Sequence, residues 1–166
     1  DFDRAEELLD ALGGLIDKVE PEVVVSGCAE CVSAVQVLAR RSGGAFESIS
    51  TSEWLLRHRL ELDLEPSDDV VTVHDSCHMV RKLDRPDTVR ALLSGVYPVQ
   101  EMQDHGKDGQ CCGYYGFDVN RVKTRALRRS RLSQAADTEA RFMAVECVTC
   151  QESYGPLAAG GGLKVV

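Results

Sequence analysis

The sequence predicts an α/β fold: a mostly parallel sheet with helices on both faces and cysteine loops at the C-terminal edge of the strands. Two observations carry this. Short β-rich runs at residues 23–25, 46–50, 70–73, 96–102 and 142–145 alternate with longer stretches of helical periodicity. Three cysteine elements, opening at Cys28, Cys77 and Cys147, each fall just after a strand and just before a helix. In open α/β sheets that edge is where ligands collect.

The elements follow in order. Residues 3–19 place Ala5, Leu8, Leu9, Leu12, Leu15, Ile16 and Val19 at helical spacing, and Pro21 ends the run. A short buried strand at 23–25 leads into Cys28-Ala-Glu-Cys31 and a second helix through Val32, Val35, Leu38 and Ala39, closed by Gly43-Gly44. After the strand at 46–50, Thr51 or Ser52 is expected to cap a helix carrying Trp54, Leu55, Leu56 and Leu60, with Pro66 at its end. The strand at 70–73 runs into His74-Asp75-Ser76-Cys77-His78, and residues 87–93 continue as helix. Residues 96–102 read as a strand, and the Gly-rich, polar stretch 103–116 as a loop bearing Cys111-Cys112. A helix over about 118–136, a strand at 142–145, a turn at Cys147, a helix start, a turn at 160–162 and a last strand complete the chain.

At 166 residues the chain supports one sizeable core and is most simply one domain, 1–166. It opens at Asp1 and stops in a strand-like Leu163-Lys164-Val165-Val166, and is expected to be a piece of a longer polypeptide. Residues 1–69 hold 16 acidic and 6 basic side chains, and the net charge is −8, a poor match to nucleic acid. The basic run Arg121, Lys123, Arg125, Arg128, Arg129 and Arg131 is read as a solvated helix face. No apolar run reaches the ~20 residues of a membrane span, and no basic-then-apolar leader is seen. Seven cysteines without a secretory signal argue against a disulfide framework and for reduced thiols in the cytoplasm.

Five of those cysteines form a series. Thirty-three residues separate Cys77 from Cys111, the pair Cys111-Cys112 precedes Gly113, and 34 residues separate Cys112 from Cys147-x-x-Cys150. Helix N-termini lower thiol pKa and offer N–H groups to sulfur. Three chemistries fit: an iron–sulfur site, zinc, and a thiol–disulfide redox site. Zinc takes four ligands, so a fifth cysteine is left over, and adjacent side chains diverge from one small ion. A multi-iron cluster offers a metal atom to each.

Other residues carry weaker signals. His74 and His78 flank Cys77 and could donate a proton to a substrate thiolate or a hydrogen bond to a cluster sulfur; capping or backbone bonding is the plainer role, above all for His78. Asp75 is expected to cap the following helix. Tyr114, Tyr115 and Trp54 are read as core, His105 as a solvated loop residue, and His58 has no motif around it. There is no Gly-rich phosphate loop and no flavin or nicotinamide fingerprint.

The cysteine series, with Val71-Thr72-Val73-His74-Asp75-Ser76-Cys77-His78 before it and Gly113-Tyr114-Tyr115-Gly116 inside it, resembles the cysteine-rich CCG domain found in the B subunit of heterodisulfide reductase. The same domain occurs in iron–sulfur subunits of glycolate, lactate and glycerol-3-phosphate dehydrogenases. Ser76 stands where the family carries proline. The resemblance implies a noncubane [4Fe-4S] cluster on Cys77, Cys111, Cys112, Cys147 and Cys150, with zinc in some copies of the motif. It also implies a redox role, either reduction of a disulfide substrate or electron relay beside a flavin or ferredoxin-like iron–sulfur subunit. Cys28 and Cys31 look like the closing Cys-x-x-Cys of a preceding motif, so that residues 1–50 resemble the end of one half-domain and 51–166 a complete one. A sample handled in air is expected to lose the cluster.

Overall fold

The computed structural model describes residues 2–58, 64–116, 120–159 and 161–166. Leu60, Gly160 and the opening of the helix expected from 118 lie outside them. The described chain runs α1 (Phe2–Val19), β1 (Val23–Ser26), α2 (Ala29–Arg41), β2 (Glu47–Ser50), α3 (Thr51–Arg57) and β3 (Val71–His74). A single π-helical turn (His78–Lys82) follows, then α4 (Thr88–Leu93), α5 (Arg121–Ala136), β4 (Phe142–Val145), α6 (Val148–Ala158) and β5 (Lys164–Val165). The fold is α/β, and every strand pairing among the described residues is parallel.

Among the described residues the strands form two sheets, β1-β2 and β3-β4-β5, where one sheet was expected. In the first, Val23 pairs with Glu47; in the second, Val71 pairs with Phe142 and His74 with Val145. All four β3 residues are buried, as befits a parallel strand covered on both faces. The strand expected at 96–102 reduces to one bridge, Val71 with Val99, because Pro98 has no N–H to extend the ladder. Its carbonyl still accepts from Val71 N–H at 3.0 Å.

Helix α2 joins two core clusters. Its N-terminal residues Ala29 and Val32 enter the main core with Met79, Met102, Met143, Cys112, Cys147, Cys150 and Tyr154. Its C-terminal Val35, Leu38 and Ala39 pack with Ile16 and Phe46 in a second cluster. Ser48 Oγ donates to Val32 O at 3.0 Å, and Ala29 N–H to Glu146 O at 3.2 Å, fastening both ends of this join. Arg85 adds bonds to Ser48 O, Gln36 and Glu53.

Several local expectations change. The cap of α3 is Ser50, ahead of the expected Thr51 or Ser52, because β2 runs straight into the helix and a Ser50–Glu53 capping box closes it. Trp54 is 41% exposed and stacks on His58 instead of entering the core. Helix α1 buries only Ile16, so its apolar face is mostly open. Helix α5 is capped by Asn120, which accepts from Lys123 N–H at 2.9 Å, and it buries Thr124, Arg128, Arg131 and Ala135. The basic run is therefore not a wholly solvated face. No described helix is long and apolar enough to cross a membrane.

Asp75 does not cap the turn after Cys77. Its buried carboxylate accepts from Arg90 Nη1 and Nη2 at 2.7 and 3.1 Å and from Gly106 N–H at 2.7 Å. Arg90 also holds Glu101, and this pairing raises the arginine pKa and lowers that of Glu101. Arg90→Ala strands a buried carboxylate and should destabilise the protein by about 3 kcal/mol, the low end for a broken buried pair, because Arg131 Nη2 remains 3.9 Å from Asp75. Glu101→Gln, at a half-buried position, should cost less than about 1 kcal/mol. Urea unfolding midpoints of the two variants check the order.

Candidate metal centre

Each cysteine element sits where the backbone supplies free N–H groups. Cys28 caps α2 from β1, Cys77 opens the π-helical turn after β3, and Cys147 caps α6 from β4. Register does the rest: β3 and β4 end together at His74 and Val145, so Cys77 and Cys147 leave the same sheet edge. Cys150 lies one turn into α6, and Cys112, buried like Cys147 and Cys150, enters from the loop before α5.

The five thiols contact one another in sequence, Cys77 with Cys111, Cys111 with Cys112, Cys112 with Cys150 and Cys150 with Cys147. Hydrogen bonds from Cys112 and Cys77, with Gly113 N–H, pull the Cys111 thiol down to about 2. A bond from Cys150, with Thr149, pulls Cys147 down to about 4. Cys77, Cys112 and Cys150, as the donors, are pushed up. The hydrogen bonding therefore favours the thiolate form at Cys111 and Cys147 over that of their neighbours, and a thiolate is the form that binds metal.

Cys28 and Cys31 do not stand apart. Cys28 Sγ, a Glu30 carboxylate oxygen and Cys147 Sγ all lie within 4.8 Å of one another. Cys31 hydrogen-bonds Cys28 and feels the charge of Cys147. A surface cleft of about 440 Å³ runs beside Cys31, with Glu30, His78 and Lys82 on its walls. His78 Nδ1 is 3.6 Å from Cys77 Sγ, a long contact to sulfur.

His74 lies in the interior, 2% exposed, with Arg131 Nε donating to its Nδ1 at 3.3 Å. Burial first, then the charge of Arg131, holds its pKa down to about 3. The Arg131 guanidinium is 0% exposed and also bonds Asp104 O and Gln134 Oε1. Arg128 Nε donates to Cys112 O at 2.8 Å, tying the cysteine pair to α5. Tyr114 and Tyr115, expected in the core, are exposed and stack edge to face on each other, since the short turn Tyr114–Gly116 lies on the surface. His105 is exposed, its Nδ1 on Met102 O at 3.0 Å, as its loop position implied.

Arg131 and Tyr154 are not evident as site residues from the sequence, although spacing marks both. Residues 124, 128, 131 and 135 recur at the 4-3-4 interval of a buried helix face; the charges at 128 and 131 hide the pattern. Cys147, Cys150 and Tyr154 share one face of α6 at i, i+3 and i+7.

A family model described as a cysteine-rich domain, CCG, matches residues 71–153. The chain belongs to the CCG cysteine-rich domain family. The match runs from the start of β3 into α6, so it takes in the five cysteines and leaves out Cys28 and Cys31. The chain is 28% identical over 95 residues to the B subunit of the fumarate reductase (CoM/CoB) of Methanothermobacter marburgensis, covering 57% of this chain and 19% of that one. It is 31% identical over 140 residues to the D subunit of the dihydromethanophenazine:CoB–CoM heterodisulfide reductase of Methanosarcina acetivorans, covering 78% and 34%. The chain thus spans about a fifth and a third of the lengths of these relatives. Glutamate racemase RacE1 of Bacillus anthracis overlays all of the chain and 60% of its own at a TM-score of 0.44 and 11% identity. A redox, metal or iron–sulfur role follows from the family.

The glycine of the CCG motif has a physical reason. Gly113 adopts φ +68°, and a Cβ there would lie 2.9 Å from Thr124 Cγ2. Thr124 is β-branched on a helix and cannot swing away freely. Gly113→Ala should cost at least about 1–2 kcal/mol from the left-handed backbone alone, and should lower metal content by displacing Cys111 and Cys112. Adding Thr124→Ala should return the steric part only. Melting temperature and metal content of the single and double variants measure this.

Proposed function

We propose that Cys77, Cys111, Cys112, Cys147 and Cys150 hold a [4Fe-4S] cluster of the noncubane type. The domain then serves as the iron–sulfur electron-transfer or catalytic element of an oxidoreductase like the B subunit of heterodisulfide reductase. The observation that carries the reading is the extended chain of five thiols. The thiols are linked pairwise, each hydrogen-bonded to the next, an arrangement that suits several metal atoms better than one. When bound, such a cluster supplies one-electron redox chemistry.

The protein's own part is positional and electrostatic. The N-terminal end of α6 and the N–H of Gly113 favour the Cys147 and Cys111 thiolates, and the buried face of α6 excludes water from Cys150. Arg131 sets a buried positive charge near an anionic group. Electrons come from another subunit of the complex, flavin-bearing or ferredoxin-like, and pass either to a disulfide substrate or to a further carrier. Cys28 and Cys31 read as the closing Cys-x-x-Cys of a second motif, with residues 1–50 ending one half-domain and 51–166 forming the complete one. The cytoplasm is the compartment that suits reduced thiols.

One observation favours a second reading, structural zinc. Cys28, Glu30 and Cys147 bring their ligand atoms within 4.8 Å of one another, compact enough for a single ion. Protein isolated without air separates the two. The cluster reading expects iron and acid-labile sulfide in equal amounts and a brown visible spectrum bleached by dithionite. It also expects loss of colour in Cys77→Ser and Cys112→Ser but not in Cys28→Ser. Stoichiometric zinc without sulfide, lost in Cys28→Ser, would sink it.

A further inference from the structure

Beside the five thiols, the fold keeps polar hydrogens for which it provides no acceptor. Among the described residues His74 Nε2 and the Tyr154 hydroxyl are buried without a hydrogen-bond partner, and their rings meet edge to face with centroids 4.8 Å apart. A buried donor left without an acceptor is unfavourable. Two in contact call for an acceptor that both can reach.

Arg131 decides which nitrogen of His74 carries the proton. A guanidinium nitrogen only donates, so the bond from Arg131 Nε makes Nδ1 the acceptor and leaves the ring hydrogen on Nε2. Tyr154 keeps its phenolic hydrogen, because burial and then the neighbouring Cys112 and Cys150 push its pKa up. Both groups lie within electrostatic reach of the cysteine sulfurs, His74 of Cys111 and Tyr154 of Cys112, Cys150 and Cys111.

The geometry points to His74 Nε2–H and Tyr154 O–H as a pair of hydrogen-bond donors to the sulfurs of the group held by the five cysteines, with Arg131 as the positioning residue that fixes the histidine tautomer. This rests on the iron–sulfur reading of the site. Of the two roles expected for His74 it selects the donor and not the proton source. The ring is neutral, its one hydrogen is committed, and its other nitrogen is occupied. Hydrogen bonds to sulfur stabilise the more negative, reduced form, so the pair raises the reduction potential.

Three measurements on air-free protein test this. Resonance Raman spectra should show the wild-type Fe–S stretching bands shifting between H2O and D2O, with the shift diminished in Tyr154→Phe, a variant that loses one oxygen and keeps the packing. Redox titration should find the reduction equilibrium of Tyr154→Phe and His74→Leu moved about tenfold toward the oxidised form, about 59 mV for one electron, while His74→Gln, which retains an N–H, stays near wild type. In metal-free protein, ¹⁵N shifts of the His74 ring should report a proton on Nε2 alone, and a mixture of tautomers in Arg131→Met. Protein with iron and sulfide but no solvent-isotope shift and an unmoved potential overturns the donor pair alone. A wild-type ring protonated at Nδ1 overturns the part given to Arg131. Absence of sulfide from the wild type overturns the iron–sulfur reading and the pair with it.

Discussion

Parallel pairing of β3 with β4, in the register that aligns His74 with Val145, is the constraint on which the site depends. A parallel ladder ends both strands on one side, so Cys77 and Cys147, 70 residues apart, emerge together. Shifting the register by one residue would turn every β4 side chain to the other face. It would also move the start of α6, and with it Cys147 and Cys150, relative to Cys77. The loop pair Cys111-Cys112 is not placed by any strand. It is held by Arg128 on the Cys112 carbonyl and by the tight approach of Gly113 to Thr124, so the third contribution to the site comes from α5.

That arrangement puts thiols in the hydrophobic core. Cys112, Cys147 and Cys150 pack among Ala29, Val32, Met79, Met102 and Met143, where an isolated charge is strongly disfavoured. The protein offsets this with charge of the opposite sign. Arg131, itself fully buried and with its pKa pulled down by burial, lies against His74 and near Asp75. Asp75 is neutralised in turn by Arg90, which also grips Glu101. The network joins the edge of β3, the loop after it and α5, so anything that changes the charge at the sulfurs acts on groups that also hold the fold.

The strands and the cysteine edge were legible in the sequence because both depend on short-range pattern. Val23-Val24-Val25 and Val71-Thr72-Val73 announce strands, and Cys-x-x-Cys immediately after a strand announces a helix N-terminus; β3 is buried as expected, but β1 is not, since Val23 and Val25 are exposed. What escaped depends on partners distant in the chain. Arg128 and Arg131 look like a solvated face until a loop carbonyl at Cys112 and a histidine at position 74 are brought to them. Asp75 has the composition of a cap, but Arg90 and Gly106 bind its carboxylate instead. Tyr114, Tyr115 and Trp54 have core composition and lie on the surface. The division into two sheets was equally hidden, since alternation of strands and helices fixes their order and direction but not which strands become neighbours.

The adjacency of Cys28 to Cys147 follows from a problem of helix packing. Helices α2 and α6 begin side by side, with the first N–H of α2 bonded to the carbonyl that precedes Cys147. Like ends of two helix dipoles repel, and each N-terminus carries about half a positive charge. A thiolate between them answers both at once. Cys147 is the thiol pulled down to about 4, and Cys28 and Cys31 crowd the same spot from the other helix. The second Cys-x-x-Cys is therefore part of the electrostatic environment of the five-cysteine site whatever it binds. Charge placed on Cys28 or Cys31 disfavours further negative charge at Cys147, and charge withdrawn from them relieves it. Two motifs that the sequence separates by more than a hundred residues share one pair of helix ends, and their electrostatics cannot be treated independently.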